Sequence, residues 1–167
     1  MLRTASSASR PEEGSVKIVV VGHDHLPELL PLVRAYCDFY RVAPGDEALL
    51  ELSRALIADP GREGVQLLAR DDAGTAVGFA TVFWTRQTLD AARVGIMNDL
   101  YVAPEARGGG VASALIAACL EHCRQHRAAE LVWQTANDNH RAQALYDRIG
   151  ATRDDRWLDY SLPVEPA

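Results

Sequence analysis

The stretch that decides the fold of this 167-residue chain is Asp99–Ile116, DLYVAPEARGGGVASALI. Its pattern predicts a buried strand, a tight turn, and a helix that begins on three glycines, Gly108–Gly110. The first amides of a helix have no intrahelical partner and lie at the positive end of the helix dipole. Glycines let a phosphate approach the bare backbone, and the neighbouring Arg107 adds a full positive charge. The stretch therefore predicts an anion site, with a plain glycine-rich turn as the alternative.

The composition is that of one globular domain. Hydrophobic residues make up 48% of the chain and charged residues 24%, which suffices for a core. The tracts 1–15 and 163–167 are predicted to be tails, the first disordered, around a single domain at 16–162. No apolar run resembles a signal peptide or a membrane span, so a cytoplasmic protein without a membrane partner is expected. A net charge of −6 argues against nucleic acid and suits a cationic small molecule.

Hydrophobic periodicity predicts an α/β chain in the order β-α-α-β-β-β-α-β-α-β. The predicted helices are 24–40, 46–58, 110–127 and 137–149. The predicted strands are 16–21, 65–70, 76–84, 93–102, 130–135 and 156–162.

The strand at 93–102 is apolar on both faces, so it is predicted to be central. Strict alternation places its side chains in two sets, with Ile96, Asn98, Leu100 and Val102 on one face and Met97, Asp99 and Tyr101 on the other. Buried polar groups need partners. Asn98 and Asp99 are therefore either structural hydrogen-bonding residues or residues of a site.

A second informative stretch runs from Trp133 to Tyr146. Asn139 and Tyr146 are about two turns apart on the predicted helix and so share a face. In one interpretation Asn139 caps the helix and Tyr146 is a core aromatic. In the other, a tyrosine at the edge of a cleft donates a proton to a leaving thiolate.

Cysteine and histidine indicate neither a disulfide framework nor a metal site. Cys37, Cys119 and Cys123 lie in apolar helical patterns and are predicted to be buried free thiols. His122 and His126 have the i, i+4 spacing of a two-histidine site, but no fuller ligand set accompanies them. No metal is therefore expected.

The segment Arg107–Ala112 matches the Arg/Gln-x-x-Gly-x-Gly/Ala motif of the GCN5-related N-acetyltransferase (GNAT) superfamily. Asp99–Val102 before it and Asn139–Tyr146 after it are similar to the neighbouring motifs of that superfamily. Within it, the chain most resembles diamine acetyltransferases and their bacterial relatives. The resemblance implies a mixed, mostly antiparallel twisted sheet of about six to seven strands flanked by about four helices.

The resemblance also implies acetyl-coenzyme A as co-substrate, bound where the strands 93–102 and 130–135 splay apart. Asn139 would contact the pantetheine arm, and Tyr146 would protonate the departing thiolate as general acid. The pantetheine amides would pair with the backbone of Leu100, Tyr101 and Val102. The pyrophosphate would be held by Arg107 and by the amides of Gly108, Gly109, Gly110, Val111, Ala112 and Ser113.

The predicted reaction is direct attack of a small primary amine on the thioester carbonyl, with a polyamine, amino acid or aminoglycoside as acceptor. Some diamine acetyltransferases carry glutamate where this chain has Asn98. Asparagine cannot accept a proton but can orient a water. The sequence therefore does not identify the general base, and Asp99 is interpreted as structural. The acceptor is expected against Tyr36, Tyr40, Trp84 and Asn98, with core packing as the alternative for the aromatic residues.

The sequence is compatible with two other functions. One is a non-catalytic acyl-coenzyme A sensor, which the missing glutamate would permit. The other is acetylation of a protein N-terminus or lysine, which would need an open peptide groove. Because dimers are common in the family, a homodimer is predicted.

Overall fold

The computed structural model describes residues 16–164, which divide into two compact units, residues 16–134 and residues 135–164. The strands of the first unit are β1 (Lys17–Val20), β2 (Gly64–Arg70), β3 (Ala76–Gln87), β4 (Ala92–Val102) and β5 (Ala128–Val132). Its helices are α1 (Leu26–Phe39), α2 (Asp46–Ala58) and α3 (Val111–Gln125), with short 3₁₀ turns at His23–His25 and Pro104–Ala106. The second unit contains α4 (His140–Arg148).

The five strands form one sheet in the order β1-β2-β3-β4-β5. The first four strands are antiparallel to their neighbours, and β5 runs parallel to β4. The predicted α/β class with a mixed, mostly antiparallel sheet is therefore confirmed, with five strands in the described residues rather than six or seven. β4 is paired on both sides, as its two apolar faces predicted.

Helices cover both faces of this sheet. On one face, Leu29 and Leu32 of α1 pack with Leu68, Phe79 and Tyr101 in a buried cluster. On the other face lies α3, whose buried apolar residues are Val111, Leu115, Ile116, Cys119 and Cys123. The sheet is thus buried between α1 and α3, which explains why its middle strands are apolar on both faces.

Helix α1 continues through a proline. Pro27 lies in its first turn, where a missing amide is tolerated, and Pro31 lies inside the helix. Pro31 is exposed, so the backbone group that it leaves without an intrahelical bond can be hydrated. The helix begins at Leu26, within the predicted range 24–40.

The predicted strand at 156–162 is wrong. Residues 151–164 have no strand conformation, and their large apolar side chains are exposed, from 67% for Trp157 to 94% for Val164. Alternation alone does not make a strand, because its peptide groups need a neighbouring backbone. The predicted tail at 1–15 lies outside the described residues, as do 165–167. No helix between residues 16 and 164 is both long and apolar enough to cross a membrane.

Candidate active site

The turn before α3 has the backbone that an anion cradle needs. Gly108 has φ +91° and Gly110 has φ +81°, left-handed values that strongly favour glycine. A Cβ on either residue would meet no atom within 4 Å, so backbone conformation, and not space, requires glycine here. The first intrahelical bond runs from the Ala114 amide to the Gly110 carbonyl at 3.0 Å. The amides of residues 111–113 therefore precede the helical bonding pattern, as expected of a helix start.

Arg107 ties this turn to the end of β4. Its Nε donates to the Val102 carbonyl at 2.9 Å. Its guanidinium carbon lies 5.9 Å from the centre of the Tyr101 ring, within range of a cation–π contact. Because only Nε makes the bond to Val102, the terminal guanidinium nitrogens are further donors beside the glycine turn.

The pairing of β4 with β5 stops before β4 ends. The last paired residues are Ile96 and Val132, whereas β4 continues to Val102. The Ala103 amide donates to the Val77 carbonyl of β3 at 2.9 Å. Peptide groups alternate in direction along a strand. Leu100 and Val102 therefore direct their peptide groups away from β3, towards the edge of β4 that is no longer paired with β5. Tyr101, between them, directs its peptide groups at β3.

A β-bulge interrupts β4 where the sequence predicted strict alternation. Thr81 of β3 pairs with Asp99, but the next residue, Val82, pairs with Met97, so that Asn98 is the extra residue. The prediction that Met97 and Asp99 share a face is therefore wrong. The added residue of a bulge reverses the faces of everything beyond it. Asp99 consequently lies on the α1 face of the sheet.

Asp99 is the centre of a hydrogen-bonded cluster on that face. Its carboxylate interacts with the Tyr36 and Thr81 hydroxyls, and Asn98 Nδ2 donates to it at 3.1 Å. Burial raises the pKa of Asp99, and these hydrogen bonds offset only part of that effect. The sequence did not reveal these contacts, because the bulge that creates them has no glycine or proline to mark it.

The cluster continues into the core through Gln66. Gln66 Nε2 donates to Thr81 Oγ1 at 3.1 Å, and both residues are buried. Gln66 Oε1 has no hydrogen-bond partner among the described residues. Sequence reasoning missed both residues. The available signal was the occurrence of single polar residues in two apolar strands, which the register sets opposite each other.

Two tyrosines of α1 extend the cluster outward. The Tyr36 and Tyr40 hydroxyls interact, and their ring centres are 5.1 Å apart. Burial beside the Asp99 carboxylate raises the pKa of Tyr36. Tyr40 is 46% exposed. Tyr36, Tyr40 and Asn98 thus belong to one neighbourhood with Asp99, which the sequence predicted for the first three residues but not for the carboxylate.

Trp84 lies elsewhere. Its Nε1 donates to the Pro60 carbonyl at 2.9 Å, and its ring stacks on that of His126, the residue that follows α3, with centres 4.6 Å apart. It is nearly fully buried. Trp84 is three residues beyond Thr81 on β3, and an odd step along a strand changes the face. The structure therefore does not bring Trp84 together with the other three residues predicted to line the acceptor site.

In the second unit, Asn139 caps α4. Its Oδ1 accepts a hydrogen bond from the Ala142 amide at 3.2 Å, which confirms the capping interpretation of the sequence. Tyr146 is half-buried on α4, seven positions further on, and so lies on the same face of the helix. Gly150, with φ +81°, follows the helix as a left-handed cap.

The cysteines are free thiols, and two of the three are buried as predicted. Cys119 and Cys123 lie in the core, and burial raises the pKa of Cys119 to about 12. Cys37, which lies near the C-terminal end of α1, is only half-buried. Within residues 16–164, no group of three or more His, Cys, Asp or Glu side chains is arranged to hold a metal ion.

The sheet, the early end of the β4–β5 pairing and the glycine turn together define an acetyltransferase fold. Residues 29–151 match the model of the Acetyltransferase (GNAT) family, and the chain belongs to that family. The N-acetyltransferase YhfO of Bacillus subtilis (strain 168), itself uncharacterised, is 31% identical over 136 residues, 81% of this chain and 89% of that protein.

Two further similar proteins are also described as acetyltransferases, one of them as a probable one. The aminoglycoside N(6')-acetyltransferase type 1 of Stenotrophomonas maltophilia is 31% identical over 125 residues, which are 73% of this chain and 80% of that protein. A crystal structure of a probable acetyltransferase has a TM-score of 0.79 at 31% identity and covers 90% of this chain and 99% of that one. The closer likeness to diamine acetyltransferases is not confirmed by these relatives.

Proposed function

We propose that this acetyltransferase moves an acetyl group from acetyl-coenzyme A to a primary amine of a small molecule by direct attack. The observation that carries the proposal is the glycine turn at Gly108–Gly110, whose left-handed glycines open α3 beside the unpaired end of β4. A helix start with bare amides suits a pyrophosphate, and an exposed strand edge suits an extended amide chain.

The coenzyme fits these residues by the chemistry of their donors. Gly108 and Gly110 leave open space where a Cβ would stand, so a phosphate can reach the amides of residues 108–113, and Arg107 adds guanidinium donors. Leu100 offers its peptide groups to the pantetheine arm, and Val102 offers its amide, since its carbonyl accepts from Arg107. When bound, the coenzyme supplies the activated acetyl group. Asn139 and Tyr146 are proposed to contact the pantetheine arm and to protonate the departing thiolate.

The acceptor is proposed to be a cationic small molecule that binds near Tyr36, Tyr40 and Asn98. Asp99 contributes the negative charge of this neighbourhood, and aromatic faces attract cations. An aminoglycoside acetyltransferase among the relatives supports including amino sugars with polyamines and amino acids as candidates. The homodimer and the cytoplasmic location stay predictions.

The experiment is a thiol-release assay with acetyl-coenzyme A and a panel of spermidine, lysine and kanamycin, combined with calorimetric coenzyme binding. We expect turnover of at least one amine. Tyr146→Phe should lower kcat by about 10²-fold or more while coenzyme affinity stays unchanged, because only proton donation is lost. Tyr160→Phe, at a side chain that is 90% exposed, is the matched control.

Tight coenzyme binding without turnover of any amine would contradict the proposal and favour an acyl-coenzyme A sensor. Turnover of peptides in preference to every small amine would favour protein acetylation instead.

A further inference from the structure

The side chains around Asp99 form a chain of hydroxyl groups that runs from the surface to a carboxylate. Tyr40 is exposed, its hydroxyl interacts with that of Tyr36, and Tyr36 interacts with the Asp99 carboxylate. Tyr36 is half-buried and is held by edge-to-face contacts with Phe79 and Tyr101 at ring-centre distances of 5.8 and 6.2 Å. The Tyr36 hydroxyl is therefore fixed between the exposed end of the chain and the carboxylate.

The inner end of this chain is built to keep Asp99 an acceptor. Gln66 Nε2 donates to Thr81 Oγ1, which leaves the Thr81 hydroxyl proton for the Asp99 carboxylate. Asn98 Nδ2 and the Tyr36 hydroxyl supply two further donors. These three donors favour the ionised form of Asp99, which takes up a proton, while burial, the larger effect, raises its pKa and so makes it the stronger base.

We propose that Tyr36 and Asp99 form a proton relay that removes the proton from the acceptor's ammonium group before acetyl transfer. This inference rests on the proposed function and names the base that Asn98 cannot provide. In this relay the substrate ammonium donates to the Tyr36 hydroxyl, which makes Tyr36 the catalytic residue. Asp99 acts through Tyr36, and Thr81 and Gln66 are positioning residues.

The relay balances as one concerted step. An N–H bond of the ammonium breaks and its proton passes to Tyr36 Oη. At the same time the Tyr36 O–H bond breaks and that proton passes to an Asp99 carboxylate oxygen. The products are a neutral amine, an unchanged tyrosine and a neutral carboxylic acid. Asp99 returns the proton to water through the same hydroxyl after the reaction.

In the part of the chain that the structure describes, few groups face Asp99. They are Tyr36 and Cys37 from α1, Thr81 from β3 and Asn98 from β4. The charges of Arg34 and Asp38 act on Cys37. Between residues 16 and 164, no cationic side chain is among the groups that shift the pKa of Asp99, so relative to this part of the chain the substrate ammonium would bring the first positive charge to the relay.

The test measures kcat/KM against pH for Tyr36→Phe, Asp99→Asn and the double variant. The substrate is spermidine, lysine or kanamycin, whichever the unaltered enzyme turns over fastest. At pH 7 each single variant should lose about 10²-fold. The loss should shrink as the pH approaches the amine pKa of about 10, where the amine is neutral without help. The double variant should be no slower than the slower single variant, because both changes break one relay.

Tyr160→Phe and Asp38→Asn are the matched controls, since both side chains are exposed and lie outside the cluster. A second readout needs no turnover: carbon NMR of the Asp99 carboxyl should show its pKa rising in Tyr36→Phe, which has lost one donor. If Asp99→Asn does not fold, the pH dependence and the NMR shift of Tyr36→Phe decide alone.

A loss that is equal at all pH values, multiplicative losses in the double variant, or an unshifted Asp99 pKa in Tyr36→Phe would each overturn the relay while the acetyltransferase activity stands. Failure of the unaltered enzyme to acetylate any amine would instead overturn the proposed function, and the relay with it.

Discussion

The side-chain amide of Asn98 donates a 3.1 Å hydrogen bond to the carboxylate of Asp99, its neighbour in the sequence. Adjacent residues of a regular strand point to opposite faces and cannot make this contact. The bulge in β4 permits it, because Asn98 has no partner of its own on β3. Asn98, which cannot act as a base itself, thus donates to a carboxylate on the face of the sheet that α1 covers.

Thr81→Val tests the buried end of this cluster. The change keeps the shape of the side chain but removes the acceptor of Gln66 Nε2 and one donor to Asp99. We expect a loss of about 1–3 kcal/mol in the free energy of unfolding, because a buried amide is left without its partner. The pKa of Asp99 should rise further, since its ionised form loses a hydrogen bond.

Urea unfolding and carbon NMR titration check these two effects. Thr85→Val on the exposed part of the same strand is the control and should change neither quantity. Equal stability of Thr81→Val and the unaltered protein would mean that the Gln66–Thr81 bond contributes nothing net.

The fold was largely predictable, because it depends on repeated patterns. The apolar runs of β2 and β3 and the helical spacing in α3 each extend over several residues, so one exception does not hide them. The segment 156–162 shows the limit of that reasoning. Its apolar residues suggested a strand, but strand formation depends on pairing with a neighbouring strand, and the local sequence does not show whether that neighbour exists.

The candidate site was predictable only in its backbone part. The glycine turn is visible because Gly108 and Gly110 meet a conformational requirement that few other residues satisfy. The cluster around Asp99 was not visible, since one inserted residue at Asn98 reverses the faces beyond it and nothing local marks the insertion. The prediction that Trp84 lies beside Tyr36 and Asn98 failed for a related reason. Residue type alone does not say which face of the sheet a side chain occupies.

Gly110→Ala should weaken coenzyme binding, whereas Gly109→Ala should not. Gly110 has φ +81°, which costs a non-glycine residue about 1–2 kcal/mol, or roughly a five- to thirty-fold change in an equilibrium constant. Gly109 lies outside the left-handed region, and its added Cβ would make only an ordinary contact at 3.7 Å. Calorimetric titration with coenzyme A compares the two variants. Equal affinities would show that the left-handed backbone at residue 110 is not needed for the anion.

Glu28→Gln should destabilise the protein at neutral pH but not at acidic pH. Glu28 of α1 and Arg70 of β2 form a two-bond ion pair, with 2.5 and 2.8 Å contacts. The hydrogen bond from Arg70 lowers the pKa of Glu28 below its ordinary 4.5. A lowered pKa of a carboxyl group stabilises the folded state above the unfolded-state value and loses that effect as the pH falls through the folded-state value.

The urea midpoint of Glu28→Gln should accordingly lie below that of the unaltered protein at pH 7 and approach it below pH of about 4. Glu47→Gln, which breaks the more exposed Glu47–Arg54 pair of α2, is the control and should have a smaller effect at pH 7. A difference between Glu28→Gln and the unaltered protein that is independent of pH would contradict the linkage.

Gly78→Ala should destabilise the junction of β3 and β4 next to the site. A Cβ at Gly78 would lie 2.6 Å from the Tyr101 carbonyl oxygen, and a backbone atom cannot turn aside as a long side chain can. The strands must move apart, and overpacking of this kind costs about 1–3 kcal/mol. Gly61→Ala is the control, because its Cβ would meet only the Asp59 carboxylate at 3.7 Å.

Because Tyr101 contacts both Tyr36 and Arg107, Gly78→Ala should also weaken coenzyme A binding in calorimetry. A stable Gly78→Ala protein with unchanged affinity would show that β3 and β4 can separate here without disturbing the glycine turn.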